Sequence, residues 1–208
     1  MGSRFGWIVA AFAATWMALA IGCISRQSKR GDPYNWLVWL GGFFVVLGAA
    51  GFFGAILSSA GMLSLPPSFE WPAGYVSGVV TLPGGSRAVP LEPSGRVQIY
   101  DLDWRYLRGW QIAAEGGPFK IVTSQPDKIE VYTLRGRHHF TYSEAGQLLA
   151  NETYTQPYGL VLSEGRSQLV PTFPLLWPLS SPFLCVGLAL IGGMVWKLSK
   201  WLRNPPDI

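Results

Sequence analysis

The sequence predicts an integral membrane protein of mixed class. It has three transmembrane helices, with a small sheet- or sandwich-like all-β domain inserted between the second and the third. Three observations predict this. The 208 residues are 49% hydrophobic and only 13% charged, where soluble domains carry about 25% charged residues. The apolar residues gather into blocks long enough to span a bilayer. Between two of these blocks lies a stretch with turn residues every eight to twelve positions or so and no helical period. The expected units are 1–35 (first helix and a basic turn), 36–65 (second helix), 66–172 (β domain) and 173–208 (third helix and a basic tail).

Phe5 to Ile24 carries no charge. Ala10, Ala14, Ala18 and Gly22 recur at every fourth position and line one helical stripe. Small stripes let helices approach closely in lipid, where packing drives association. Arg26, Lys29 and Arg30 follow, then Gly31-Asp-Pro33. The second span runs from Trp36 to about Leu63, with Trp36 and Trp39 at interface depth. It carries the stripe Ala50, Gly54, Ser58 and a neighbouring one, Gly51, Ala55, Ser59. Leu65-Pro-Pro67 ends it, because proline has no amide donor. The last span begins with Ser181 as N-cap and Pro182 at the first helical position, and carries the stripe Cys185, Ala189, Gly193. From Phe173 to Ser181 the chain is expected to be partly irregular.

Charge sets the orientation. Residues 66–172 hold nine Lys/Arg against ten Asp/Glu, and the remainder holds seven against two. The basic flanks Arg26, Lys29, Arg30 and Lys197, Lys200, Arg203 belong in the cytoplasm. The β domain is then periplasmic or extracellular. Being near neutral, it offers no phosphate-tracking patch, and nucleic acid is excluded as a partner. The two cysteines, Cys23 and Cys185, sit in apolar runs outside any metal spacing. Leu19-Ala-Ile-Gly-Cys23 resembles the lipobox of a bacterial lipoprotein signal, with Ala20 where leucine is usual. That resemblance implies an envelope lipoprotein lipidated at Cys23, as an alternative to a retained first helix.

Within the β domain, Val97–Tyr100, Phe119–Thr123, Lys128–Thr133 and His139–Tyr142 alternate as strands. Tyr75–Leu82, Tyr106–Ala113, Leu148–Tyr154 and Gly159–Ser163 carry weaker signals. A shift of 42 residues matches Val80 with Val122, Thr81 with Thr123, Val89 with Val131, Tyr100 with Tyr142 and Leu107 with Leu149. A period near forty suits a four-stranded blade. The line Arg96-Val-Gln-Ile-Tyr-Asp-Leu-Asp-Trp-Arg-Tyr-Leu107 resembles NHL-type β-propeller repeats over about 75–150. It has Trp104 where that repeat has glycine. The second copy keeps Gly146 but has Ser143 for aspartate. The resemblance implies two blade-like units. These could form a small sandwich, rest on a partner, or complete a ring in an oligomer.

Candidate chemistry is sparse. His138 and His139 are adjacent, so a strand sends them to opposite faces, away from a shared metal. Asp101 and Asp103 lack supporting ligands, and Asp101 fits a turn. No metal, cofactor or catalytic set is expected. Trp104, Tyr106 and Trp110 share even parity and would line one face of a strand, as core or as a surface for a ligand or partner. Asn151-Glu-Thr153 is a glycosylation sequon. The favoured function is binding or assembly in the bilayer, with a protein partner or as a homo-oligomer. The alternative is a membrane-bound enzyme whose site on the β domain uses Asp101, Asp103 or His138.

Overall fold

The computed structural model describes residues 32–125, 127–155, 166–171 and 174–204, together with Thr15, Ala18, Ile21, Gly22, Ser25 and Arg26. Most of the first apolar run, with Ala10, Ala14 and Cys23, lies outside the described residues, as does the expected strand Gly159–Ser163. Two long apolar helices and a mostly antiparallel β domain between them make up the described chain. Contacts divide it into two compact units, Met1–Gly54 with Pro178–Ile208, and Ala55–Trp177.

The helical unit is built on α1 (Asn35–Ser59) and α2 (Pro182–Arg203). At about 1.5 Å per residue both exceed the ~30 Å hydrocarbon thickness. α1 starts where Asp32 makes an Asx turn: its Oδ1 accepts from the Tyr34 amide at 2.8 Å, and its carbonyl accepts from the Asn35 amide. It ends four residues before the expected Leu63, in a Schellman motif. Gly61 adopts φ 72°, its amide bonds the Ser58 carbonyl, and the Met62 amide bonds the Leu57 carbonyl. Ser181 holds the N-cap of α2 through its backbone carbonyl, which accepts from the Cys185 amide; its hydroxyl makes no cap bond. Ahead of it, Pro174–Ser180 forms a 3-10 helix.

The two helices run antiparallel and meet along glycines. A Cβ on Gly41 would stand 2.7 Å from the Gly192 carbonyl oxygen. One on Gly48 would strike Ala189 and the Cys185 carbonyl, and one on Gly51 would lie 2.6 Å from the Cys185 Sγ. Of the stripes read in the sequence, Gly51, Cys185 and Ala189 lie on this seam. Gly193 and Gly22 face open space, Ala18 and Ala50 are exposed, and Gly54 is half-buried. The seam follows Gly41, Val45 and Gly48 because a straight pair of helices meets at alternating steps of four and three. A four-residue stripe drifts off such a seam. Large side chains point outward from both helices: Phe43 is 54% exposed, Leu190 61%, Met194 69% and Phe183 87%.

In the β unit, the short pair β1 (Gly74–Val76) and β10 (Gln168–Val170) joins the two ends. Between them run two four-stranded antiparallel meanders. The first is β2 (Val80–Thr81), β3 (Arg87–Leu91), β4 (Arg96–Tyr100) and β5 (Tyr106–Gln111). The second is β6 (Phe119–Val122), β7 (Lys128–Thr133), β8 (His138–Ser143) and β9 (Leu148–Thr153). β3 and β10 escape the sequence reading. Pro90 argues against a strand, yet it is tolerated because β2 reaches only Ala88, so Pro90 has one strand neighbour.

Shifted by 42 residues, β5 coincides with β9, and β3 and β4 fall within β7 and β8. The local geometry repeats too. The Asp101 amide bonds the Arg105 carbonyl and the Trp104 amide bonds the Asp101 carbonyl; 42 residues on, Ser143 bonds Gln147 and Gly146 bonds Ser143 in the same way. Trp104 (φ 62°) and Gly146 (φ 83°) share the left-handed position. Each turn is followed by a β-bulge whose extra residue is Leu107 in one copy and Leu149 in the other.

The meanders pack so that equivalent faces point the same way. Val97, Ile99 and Trp110 of the first sheet share a core with Ile129, Val131, Phe140 and Tyr142 of the second. Forty-two residues after Val97, Ile99 and Trp110 stand His139, Thr141 and Glu152, on the other face of the second sheet. The opposite face of the first sheet carries Val89, Leu91 and Tyr100 and packs with Ala55, Trp71, Val76 and Val170. Each sheet thus presents its back to the next layer, and the last face of the stack is polar.

Candidate functional site

The aromatic set read as one face is divided between two. Trp110 pairs with Val97 and is buried in the inter-sheet core, where its ring lies 5.6 Å from Tyr142. Tyr106 pairs with Tyr100 on the other face. The Leu107 bulge causes this: one extra residue reverses the side-chain alternation between Tyr106 and Arg108. Trp104 is half-buried at the turn, against Tyr100 (5.9 Å) and under the Arg87 guanidinium (4.4 Å).

Around Tyr106 lies a buried polar row that sequence reasoning missed: Arg96, Gln98 and Tyr100 on β4. All three are fully buried. The Arg96 guanidinium donates to the carbonyls of Leu65 (3.3 Å), Pro66 (2.9 Å) and Phe69 (2.8 Å). The Tyr106 hydroxyl lies within bonding distance of the Pro67 and Phe69 carbonyls, and the Gly109 amide donates to Pro67. Gln98 accepts from the Trp71 amide and donates to its carbonyl, as a strand neighbour would. Gln111 gathers the Ser58, Ser94 and Gly95 carbonyls. The chemistry follows from the proline pair. Pro66 and Pro67 have no amides to join a ladder, so the segment is held through its carbonyls, which accept from the Phe69 and Gly109 amides and from the Arg96 and Tyr106 side chains. This face is occupied by the chain's own 65–71 segment. In the sequence, Arg96, Gln98 and Tyr100 alternate with Val97 and Ile99 as in a strand with one face to solvent, so nothing local marks this face as buried.

Tyr100 also donates to Glu70 at 3.0 Å. Burial, then the Glu70 carboxylate, pushes its hydroxyl far above the ordinary tyrosine value. Tyr106 is raised by burial against the opposing pull of Arg96.

The polar end face of the second sheet holds the titratable cluster. Glu130 accepts from Ser124, from Tyr132 (2.9 Å) and from His139 Nε2 (3.2 Å). The His139 ring stacks on Tyr132 at 4.2 Å and 6°. Burial raises the Glu130 carboxyl, but the bonds from Ser124 and Tyr132 and the His139 contact together hold it below the usual value. Tyr132 is pushed up to about 12 by burial and by Glu130. His138 points to the other face, beside Phe140, with Nδ1 3.2 Å from the Asn151 Oδ1. Asp101 is a turn residue: its Oδ1 accepts from the Asp103 and Arg105 amides. Asp101, His138 and His139 therefore sit in separate environments. Among the described residues no three His, Cys, Asp or Glu side chains gather as a metal set.

Compared with known protein families, with curated proteins and with solved structures, the chain has no match.

Proposed function

We propose that this chain is a membrane-anchored protein whose β unit lies outside the cytoplasm and acts in binding or assembly rather than as an enzyme. The observation that carries the reading is the outward apolar surface of α1 and α2, where Phe43, Phe183, Leu190 and Met194 are all more than half exposed. A continuous apolar surface of that kind belongs against lipid or another helix. The absence of ionisable residues from Asn35–Ser59, and their restriction in α2 to Lys197, Lys200 and Arg203 near its end, fits a span with one basic flank. Structural duties for Asp101 and for the Arg96 row favour binding over chemistry.

The two meanders are read as blade-like units stacked front to back, which keeps the resemblance to NHL-type repeats alive. His139, Thr141 and Glu152 stand where a further apolar layer would need Val97, Ile99 and Trp110. A polar terminal layer caps a repeat stack. The stack is therefore read as closed at two repeats rather than as part of a ring.

Two measurements test the proposal. The full-length protein mixed with phosphatidylcholine vesicles floats with them after alkaline extraction; recovery in the soluble fraction contradicts the anchoring. Solubilised from membranes in mild detergent, the protein carries a mass above the 22.8 kDa of one chain. A monomer at all concentrations contradicts the assembly.

A further inference from the structure

At one end of the helical unit, the start of α1 and the end of α2 meet in a cleft of about 570 Å³. Arg26, Lys200 and Arg203 line it, with Asp32, Tyr34 and Asn204. Asp32 bridges the two helices. It starts α1 by its Asx turn, and its Oδ2 pairs with Arg203 Nε at 2.5 Å. That ion pair offsets one of three cations, so the cleft keeps an excess of positive charge. Arg26 and Lys200 are both exposed.

Trp36 (62% exposed) and Trp39 (51%) on the first turns of α1, and Trp201 (56%) on the last turn of α2, surround this end. Lys200 Nζ stands 5.6 Å over the Trp196 ring. Tryptophan and tyrosine gather where the hydrocarbon meets the headgroups. A cationic recess at that depth faces the phosphate layer, and basic pockets between membrane helices suit acidic headgroups. We infer that this cleft binds the phosphate of an anionic phospholipid headgroup, through Arg26, Lys200 and Arg203. Arginine offers a planar fork to phosphate oxygens, and Lys200 adds a point charge. The inference rests on the anchoring reading above.

The test is native mass spectrometry of the full-length protein released from nanodiscs of equal parts phosphatidylglycerol and phosphatidylcholine. The expected result is retained phosphatidylglycerol in excess over phosphatidylcholine. Arg26→Gln and Lys200→Gln should each lower it about fivefold, as loss of one cation near an anionic surface implies. Lys200→Arg should preserve it. Retention of the two lipids in their bulk ratio, or retention unchanged in both glutamine variants, overturns the inference. Loss of bound phosphatidylglycerol to millimolar inorganic phosphate overturns the lipid assignment in favour of a free phosphate ligand. Flotation with pure phosphatidylcholine vesicles separates the two readings. A protein that floats without preferring phosphatidylglycerol defeats this inference alone, and a protein that does not float defeats the anchoring and the inference together.

Discussion

Trp104 and Gly146 occupy the same left-handed position in equivalent turns, and only one of them is glycine. The left-handed cost of about 1–2 kcal/mol for a residue with a Cβ is offset at Trp104 by its packing on Tyr100 and under Arg87. Gly146 has no such exchange. A Cβ there would stand 2.6 Å from the Trp110 ring, at φ 83°. Gly146→Ala should therefore cost about 2 kcal/mol or more, read by denaturation of the full-length protein in detergent. Arg96→Ala should cost about 3 kcal/mol, because it empties a fully buried side-chain site and removes donors to the Leu65, Pro66 and Phe69 carbonyls. Protonation gives a third check. Tyr132 and Tyr142 are both pushed up to about 12, chiefly by burial. Raised folded values favour the neutral phenol, so this contribution is intact below the ordinary 10.0 and is lost as pH climbs towards 12. Absorbance titration of Tyr132→Phe and Tyr142→Phe should each lack one late-ionising phenol. Glu130 is shifted the other way. Its contribution is present above the ordinary 4.5 and is lost as pH falls through the lowered folded value. Glu130→Gln should flatten the acid limb of the stability curve.

At the scale of elements, most strands were legible because alternation with β-branched and aromatic residues is a direct consequence of the pleat. The 42-residue repeat was legible through Tyr100 with Tyr142 and Leu107 with Leu149, and the structure gives these pairs a reason. They are the residues at the two bulges. The aromatic face was misread for the same cause: a period of two carries no notice of an inserted residue, so Tyr106 and Trp110 part company. Pro90 hid β3, since nothing local reveals that β2 stops at Ala88. The small-residue stripes were found by a four-residue step, which caught Gly51, Cys185 and Ala189 on the helix seam but missed Gly41, Gly48 and Gly192. Gly41→Leu should lower the melting temperature in detergent, overpacking costing about 1–3 kcal/mol. Ala50→Leu, on an exposed position, should leave it near the parent value.

For the whole molecule, composition and block length led to an expectation of three apolar helices and a β domain, of which the described residues contain two long apolar helices flanking an antiparallel β domain. The candidate site was less legible. Its central residues, Arg96 and Gln98, look like solvent-facing positions until the proline segment that covers them is placed. The polar end face needed the second sheet's orientation before Glu130, Tyr132 and His139 could be grouped. The proposed anchored protein has its β unit outside and its basic ends inside. Reporter fusions after Gly117 and after Ile208 test it most directly. A reporter active only outside the cytoplasm should work at Gly117 and fail at Ile208. Cytoplasmic activity at Gly117 would contradict it.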